Sequence, residues 1–277
     1  MRVEWEKTIA TSDHGFLNAK FDGVFAEIDG ELRFFSSSIH DRGLNVISIF
    51  RDEEETAFSY DFIEERGRTF SIPSCWHVDH KRKCIICDSR YEIDMQSFEV
   101  REASEEVCAS IREEHERNIK EYLKKYSFGD FEVFQKSEQV YCCVQNGQEK
   151  WRIRCQGYLY TPILAYEDKL YWGTDGAGGY FCLVESETGN IVAKIKTGGT
   201  NKIVGEGKKR YVLLQGNKPE ILELSLETGE ITDRVSLPGY ACSDSALFWT
   251  EKGLYTVTFR AKKGMNTQAV LLFVSFQ

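Results

Sequence analysis

One phrase recurs along this chain and restricts its fold more than any other feature. It is a strand-like run, a Thr-Gly or similar turn, and a second strand-like run. Leu224-Ser225-Leu226-Glu227-Thr228-Gly229-Glu230 is the plainest copy, and Leu183-Val184-Glu185-Ser186-Glu187-Thr188-Gly189-Asn190 is the second. Tyr141-Cys142-Cys143-Val144-Gln145-Asn146-Gly147 is a third, followed by Trp151, and Ile93-Asp94-Met95-Gln96-Ser97-Phe98-Glu99 is a worn fourth. The turns at Ser97, Asn146, Thr188 and Thr228 are spaced 49, 42 and 40 residues apart. A period of ~40–50 residues holding several strands is the signature of a β-propeller blade.

Each unit reads as antiparallel strands joined by tight polar turns. In the fourth, the strand runs are Tyr160–Ala165, Lys169–Trp172, Tyr180–Glu185 and Asn190–Ile195, with a glycine-rich hairpin from Gly173 to Gly179. In the fifth, Leu222, Leu224 and Leu226 alternate with Glu223 and Ser225, a period of two with one buried face. The sixth ends in Leu271–Phe276. Aligned on Ile221–Leu226, its next turn falls one residue past the end of the chain, so its outer strand is missing. Val3 and Trp5 alternate with Arg2, Glu4 and Glu6, and Val3–Lys7 is the expected replacement. Pairing it into the last blade would remove two open sheet edges. The expected fold is therefore all-β, a single six-bladed propeller domain over residues 1–277 closed by the N-terminal strand. Seven blades is the alternative and would consume ~280 residues of strand and turn.

One segment departs from the pattern. Val107, Ile111, Ile119, Tyr122 and Tyr126 recur at helical spacing, which predicts an inserted α-helix over 104–126, between blades 2 and 3. Ser104 suits its N-cap. Glu105 and Glu106 suit its first turn, and Lys124 and Lys125 its last. Such a helix covers the propeller flank or docks a partner.

Charge and cysteine content bound the function. A net charge of −9 disfavours a nucleic-acid backbone as partner and suits a basic protein. The N-terminal run has no apolar h-region, and no stretch approaches ~18 apolar residues, so neither secretion nor a membrane span is expected. Nine cysteines is an odd number; without a secretory signal, reduced thiols in a cytoplasmic protein are expected.

The strand–Thr-Gly–strand phrase resembles the repeat of pyrroloquinoline-quinone-type propellers, which runs roughly Ala-x-Asp-x-x-Thr-Gly-x-x-x-Trp. Thr188-Gly189 and Thr228-Gly229 match its turn, Trp151 its docking tryptophan and Asp94 its aspartate. Residues 150 to 199 carry most of the similarity. The tryptophan position holds Ala193 and Asp233 after the two best turns. The quinoprotein dehydrogenases of this family are larger, typically of eight blades, with quinone and metal at the centre. This chain is short for that and shows no matching constellation. The family also includes non-catalytic binders that only present surfaces, so the resemblance bears on architecture, and the absent constellation leads to the expectation of a non-catalytic member with no cofactor; fold similarity does not transfer function.

Cys75, His77, His80, Cys84 and Cys87 have ligand-like spacing. The segments around them read instead as a hairpin with His80-Lys81-Arg82-Lys83 at its tip. Residues three apart in a strand point to opposite faces, so Cys84 and Cys87 would diverge. The glycine-rich run Gly173–Gly179 precedes a strand and has no phosphate-binding lysine, as a hairpin requires and a phosphate cradle does not. The hairpins between second and third strands carry His40, Asp41 and Arg42; Asp88 and Arg90; Asp175; Asn217 and Lys218; and Lys262 and Lys263. These rim tips are the expected binding surface, because loops on a rigid scaffold carry function. The expected activity is a non-catalytic scaffold for a protein partner, with a toxin-neutralising immunity protein as one form. The alternative is a small-molecule sensor or enzyme using the central channel.

Overall fold

The computed structural model describes residues 1–12, 21–38, 43–49, 55–60, 65–66, 69–70, 77–87, 91–97, 99–110, 113, 126–137, 139–159, 161–175, 178–199, 202–241, 246–262 and 266–276. Among these residues the chain is all-β apart from one short helix. Its strands form antiparallel sheets that follow one another in chain order. The first sheet is Phe21–Ile28, Glu31–Ser38, Gly43–Ile49 and Glu55–Tyr60; the second is His77–Asp79, Cys84–Cys87, Tyr91–Asp94 and Val100–Glu102. The third is Tyr126–Phe128, Phe131–Ser137, Val140–Gln145 and Gln148–Arg154. In the fourth, Tyr158–Leu159 and Leu164–Tyr166 both pair with Lys169–Asp175, followed by Tyr180–Glu185 and Ile191–Lys196. The fifth is Ile203–Val204, Lys209–Leu214, Glu220–Ser225 and Ile231–Ser236. The sixth is Leu247–Thr250, Gly253–Lys262, Asn266–Ser275 and, as its fourth strand, Arg2–Ser12. A two-stranded ribbon, Glu65–Arg66 with Thr69–Phe70, stands outside this series. Four-stranded up-and-down sheets in succession are the building plan of propeller blades.

The chain divides into two compact units. One contains residues 1–7, 117–258 and 271–277. Its core lies between successive sheets: Tyr141, Trp151, Trp172 and Val184 form one cluster, and Tyr171, Leu183, Val212, Leu222 and Leu224 form another. The recurring turn explains how these sheets meet. Gly189 has φ +73°, and a Cβ there would lie 2.7 Å from the Trp151 ring. The Trp151 indole N–H donates to the Ser186 carbonyl at 2.8 Å. Gly229 repeats the arrangement at φ +75°, with Val192 Cγ1 at 2.9 Å and Ala193 Cβ at 3.0 Å from the missing Cβ. Glycine is required twice over, for the left-handed backbone and for the close approach. The threonine serves the turn itself, as the Thr188 hydroxyl accepts from Asn190 N at 3.1 Å and Thr228 does so from Glu230 N at 3.2 Å. At the sixth sheet, Trp5 lies against Phe273 and Tyr255, each with ring centroids 6.1 Å away.

The other unit contains residues 8–116 and 259–270. Its core includes Ala26, Phe35, Ile85, Ile93 and Met95. Asp94 holds the worn turn: its carboxylate accepts from Gln96 N at 2.9 Å, Ser97 N at 2.7 Å and the Ser97 hydroxyl at 3.0 Å. These bonds, led by that from the Ser97 backbone, hold the Asp94 carboxyl below its usual range.

Three expectations need correction. The helix is described over residues 105–110 and at 113, with Ser104 Oγ accepting from Val107 N at 3.4 Å as an N-cap does. Tyr126, however, opens the strand Tyr126–Phe128, where cross-strand pairing of Tyr126 with Val133 overrides the helical period. Residues 114–125 lie outside the described residues. The single strand expected over Tyr160–Ala165 is two short strands flanking residues 160–163. Glu223, expected on an outward face, is buried at 7% exposure, because both faces of its strand are covered.

Candidate functional site

The rim tips are only partly within view. Asn217 and Lys218 are exposed in the connection between Lys209–Leu214 and Glu220–Ser225. Asp175 and Lys262 are the last residues of their strands rather than turn residues. His40, Asp41, Arg42, Asp88, Arg90 and Lys263 lie outside the described residues, as does Cys75 of the cysteine–histidine group. In that group, the expected hairpin tip is a turn over 80–83, with Asp79 paired to Cys84 and His77 to Ile86. Cys84 is buried, and burial followed by the Glu92 charge pushes its thiol up to about 11.

Cavities sit instead at turns between first and second strands, and two of them gather charged side chains from several strands. In the unit containing residues 77–110, His77, Asp79, Arg82, Ser104, Glu106, Val107 and Ser110 line about 520 Å³. Arg82 of this lining also holds Glu92, which is 3% exposed, at 2.5 Å, and Arg101 Nε donates to the same carboxylate at 3.0 Å. A buried carboxylate persists only when so paired.

In the other unit, Glu206, Lys209, Tyr211, Glu223, Asp233, Trp249, Glu251, Phe276 and Met1 line about 260 Å³. Register builds its wall. Tyr211 pairs with Glu223, and Glu223 with Asp233, so the three lie in one row across adjacent strands. The opposite face of the same strands carries Val212, Leu222 and Leu224 into the core. Glu223 accepts from Thr232 Oγ1 at 2.7 Å, Lys209 Nζ at 2.9 Å and Tyr211 OH at 3.0 Å. Burial pushes its carboxyl up, but these three bonds outweigh burial and its net position is below the usual glutamate range. Tyr211 is pushed well up, by burial first and the Glu223 bond second. Its ring stacks on Phe276 at 4.9 Å. Asp233 ion-pairs with the Met1 ammonium, which holds its carboxyl down.

Chemically, Glu223 is a fixed anion with its partners in place, which suits an electrostatic wall better than proton transfer. Glu206 and Glu251 are exposed at the mouth, and Trp249 supplies an aromatic side. Sequence reasoning passed over this cavity. The available signal was Asp233, a carboxylate standing where the repeat has a docking tryptophan. Glu223 gave no separate signal, since an exposed glutamate and a clamped one look alike in an alternating strand.

No protein-family model matches the chain, and no curated protein matches it. Solved structures similar to it include the AfRom2 CNH domain, at 9% identity and a TM-score of 0.46, covering 99% of this chain and 100% of that one. BamB from Moraxella catarrhalis has 12% identity and a TM-score of 0.36, over 92% of this chain and 85% of its own. The computationally designed Ika8 protein has 10% identity and a TM-score of 0.38, over 92% and 96%. The sheet description rests on the hydrogen-bonded registers of this chain. Among the described residues no helix is long and apolar enough to cross a membrane.

Proposed function

We propose that this chain is a non-catalytic binding scaffold of the propeller type that engages a basic protein partner. The observation that carries the reading is the cavity around Glu223. Four carboxylates and three aromatic rings converge there; Lys209 pairs with Glu223 and the Met1 ammonium with Asp233, which leaves Glu206 and Glu251 facing the opening. Aromatic faces and carboxylates together favour a cationic side chain. The net charge of −9 would speed encounter with a basic surface. An immunity protein masking a basic toxin domain is one form of this function. We further propose that the sheets are the six blades of one ring closed at Arg2–Ser12. We place the protein in the cytoplasm, in keeping with six free, buried cysteines among the described residues.

Capture of the tagged chain from its source cells tests the reading, with a Glu206→Gln/Glu251→Gln variant run beside it. The expected result is a basic protein recovered at near-stoichiometric level, released by salt and lost with the variant. Recovery of no partner, or of one indifferent to salt and to both substitutions, would reject it.

A further inference from the structure

Cys155 and Cys182 stand in a relation that the binding function does not use. Cys155 directly follows the strand Gln148–Arg154 of the third sheet, where its N–H donates to the Gln139 carbonyl at 3.0 Å. Cys182 lies within Tyr180–Glu185 of the fourth sheet, paired on one side with Trp172 and on the other with Lys194. Their sulfur atoms are 2.6 Å apart. That is inside van der Waals contact and approaches the covalent length of about 2.05 Å. Both residues are buried in one core cluster, at 1% and 2% exposure. The packing of the two sheets already brings the two sulfurs into contact. A buried thiol serving only as a small hydrophobe requires no such partner.

We propose that Cys155 and Cys182 form a redox modification site, at which a peroxide-class oxidant converts the two thiols into a reversible disulfide joining the third and fourth sheets. The Cys155 thiolate attacks one peroxide oxygen. The O–O bond breaks, leaving Cys155 as a sulfenic acid and releasing hydroxide, which takes up the Cys155 proton as water. Cys182 sulfur then attacks the sulfenic sulfur. The S–O bond breaks, the Cys182 proton goes to the departing hydroxide, and the S–S bond forms. Two thiols are oxidised by two electrons in all, and one hydrogen peroxide is reduced to two waters. The roles follow from the hydrogen bond between the pair. It holds the Cys155 thiol below its ordinary range, while that bond and burial push Cys182 up, so Cys155 is the first to react.

The test treats the intact chain with hydrogen peroxide, blocks remaining thiols under denaturing conditions and maps peptides by mass. The expected result is a Cys155–Cys182 crosslinked peptide short of two hydrogens, restored by dithiothreitol. Trp172, beside Cys182, should lose fluorescence in step with crosslinking and regain it on reduction. The oxidised chain should unfold roughly 5 °C higher, because the bond restricts the unfolded chain. Cys155→Ser should abolish the crosslink. If that variant does not fold, the native peptide map decides. Full alkylation of both residues after peroxide, a stable sulfenic acid at Cys155, or crosslinks dominated by other cysteines would each overturn the proposal.

Discussion

At the scale of single residues, the recurring turn and the buried glutamate make opposite demands on a side chain. Gly189 must have none. Gly189→Ala combines a left-handed backbone with a Cβ 2.7 Å from the Trp151 ring, and should cost about 2–4 kcal/mol. Gly147 has a similar φ of +78° with nothing near its missing Cβ, so Gly147→Ala should cost only about 1 kcal/mol. Chemical unfolding of the two variants separates close approach from backbone strain; equal losses would refute the packing account. Glu223 must keep its charge. Glu223→Gln leaves Lys209 without its carboxylate and should cost about 1–2 kcal/mol at pH 7. The Glu223 carboxyl is depressed in the folded state, so its contribution is present above the unfolded glutamate value and lost as pH falls through the folded one. The gap between variant and wild type should therefore narrow below about pH 4. A gap independent of pH would remove the electrostatic explanation.

At the scale of elements, sheets in the unit holding residues 117–258 are joined through the fourth strand of one and the Thr-Gly turn of the next. Trp151 carries this by its ring and by its indole bond to Ser186. Trp151→Ala should cost about 3–5 kcal/mol, and Trp151→Phe less, because the phenyl ring keeps packing and loses the bond. Hydrogen exchange should show the loss at strands Tyr180–Glu185 and Ile191–Lys196 as well as at Gln148–Arg154. Protection lost only in the strand that carries the substitution would mean that the sheets are not coupled through this residue. At the next junction Ala193 takes the place of tryptophan, and Gly229 packs against Val192 and Ala193 instead. The repeat is thus worn in chemistry while its turn still makes contact.

At the scale of the whole molecule, the sixth sheet depends on a strand from the far end of the chain. Ser275 Oγ donates to Glu4 Oε1 at 2.5 Å, and Trp5 packs on Phe273. A variant lacking residues 1–12 leaves Asn266–Ser275 as an open apolar edge and should self-associate or misfold. Size-exclusion chromatography with light scattering reads this directly, and a stable monomer would contradict it.

The sequence by itself determined the sheet plan. Turn chemistry and the two-residue alternation are local properties, and they marked the strand phrases and the glycine turns at 189 and 229. Tertiary structure decided what each face meets. Glu223 alternates with leucines as a solvent-facing residue would, yet Lys209, Tyr211 and Thr232 enclose it. Tyr126 keeps a helical spacing, yet pairing with Val133 makes it strand. Cys155 and Cys182 are unremarkable thiols 27 positions apart until two sheets bring their sulfurs together. The physical reason is common to Glu223 and the cysteine pair. Strand alternation says which side a residue points to, and only the packing of a neighbouring element says whether that side holds water, a counter-charge or another sulfur.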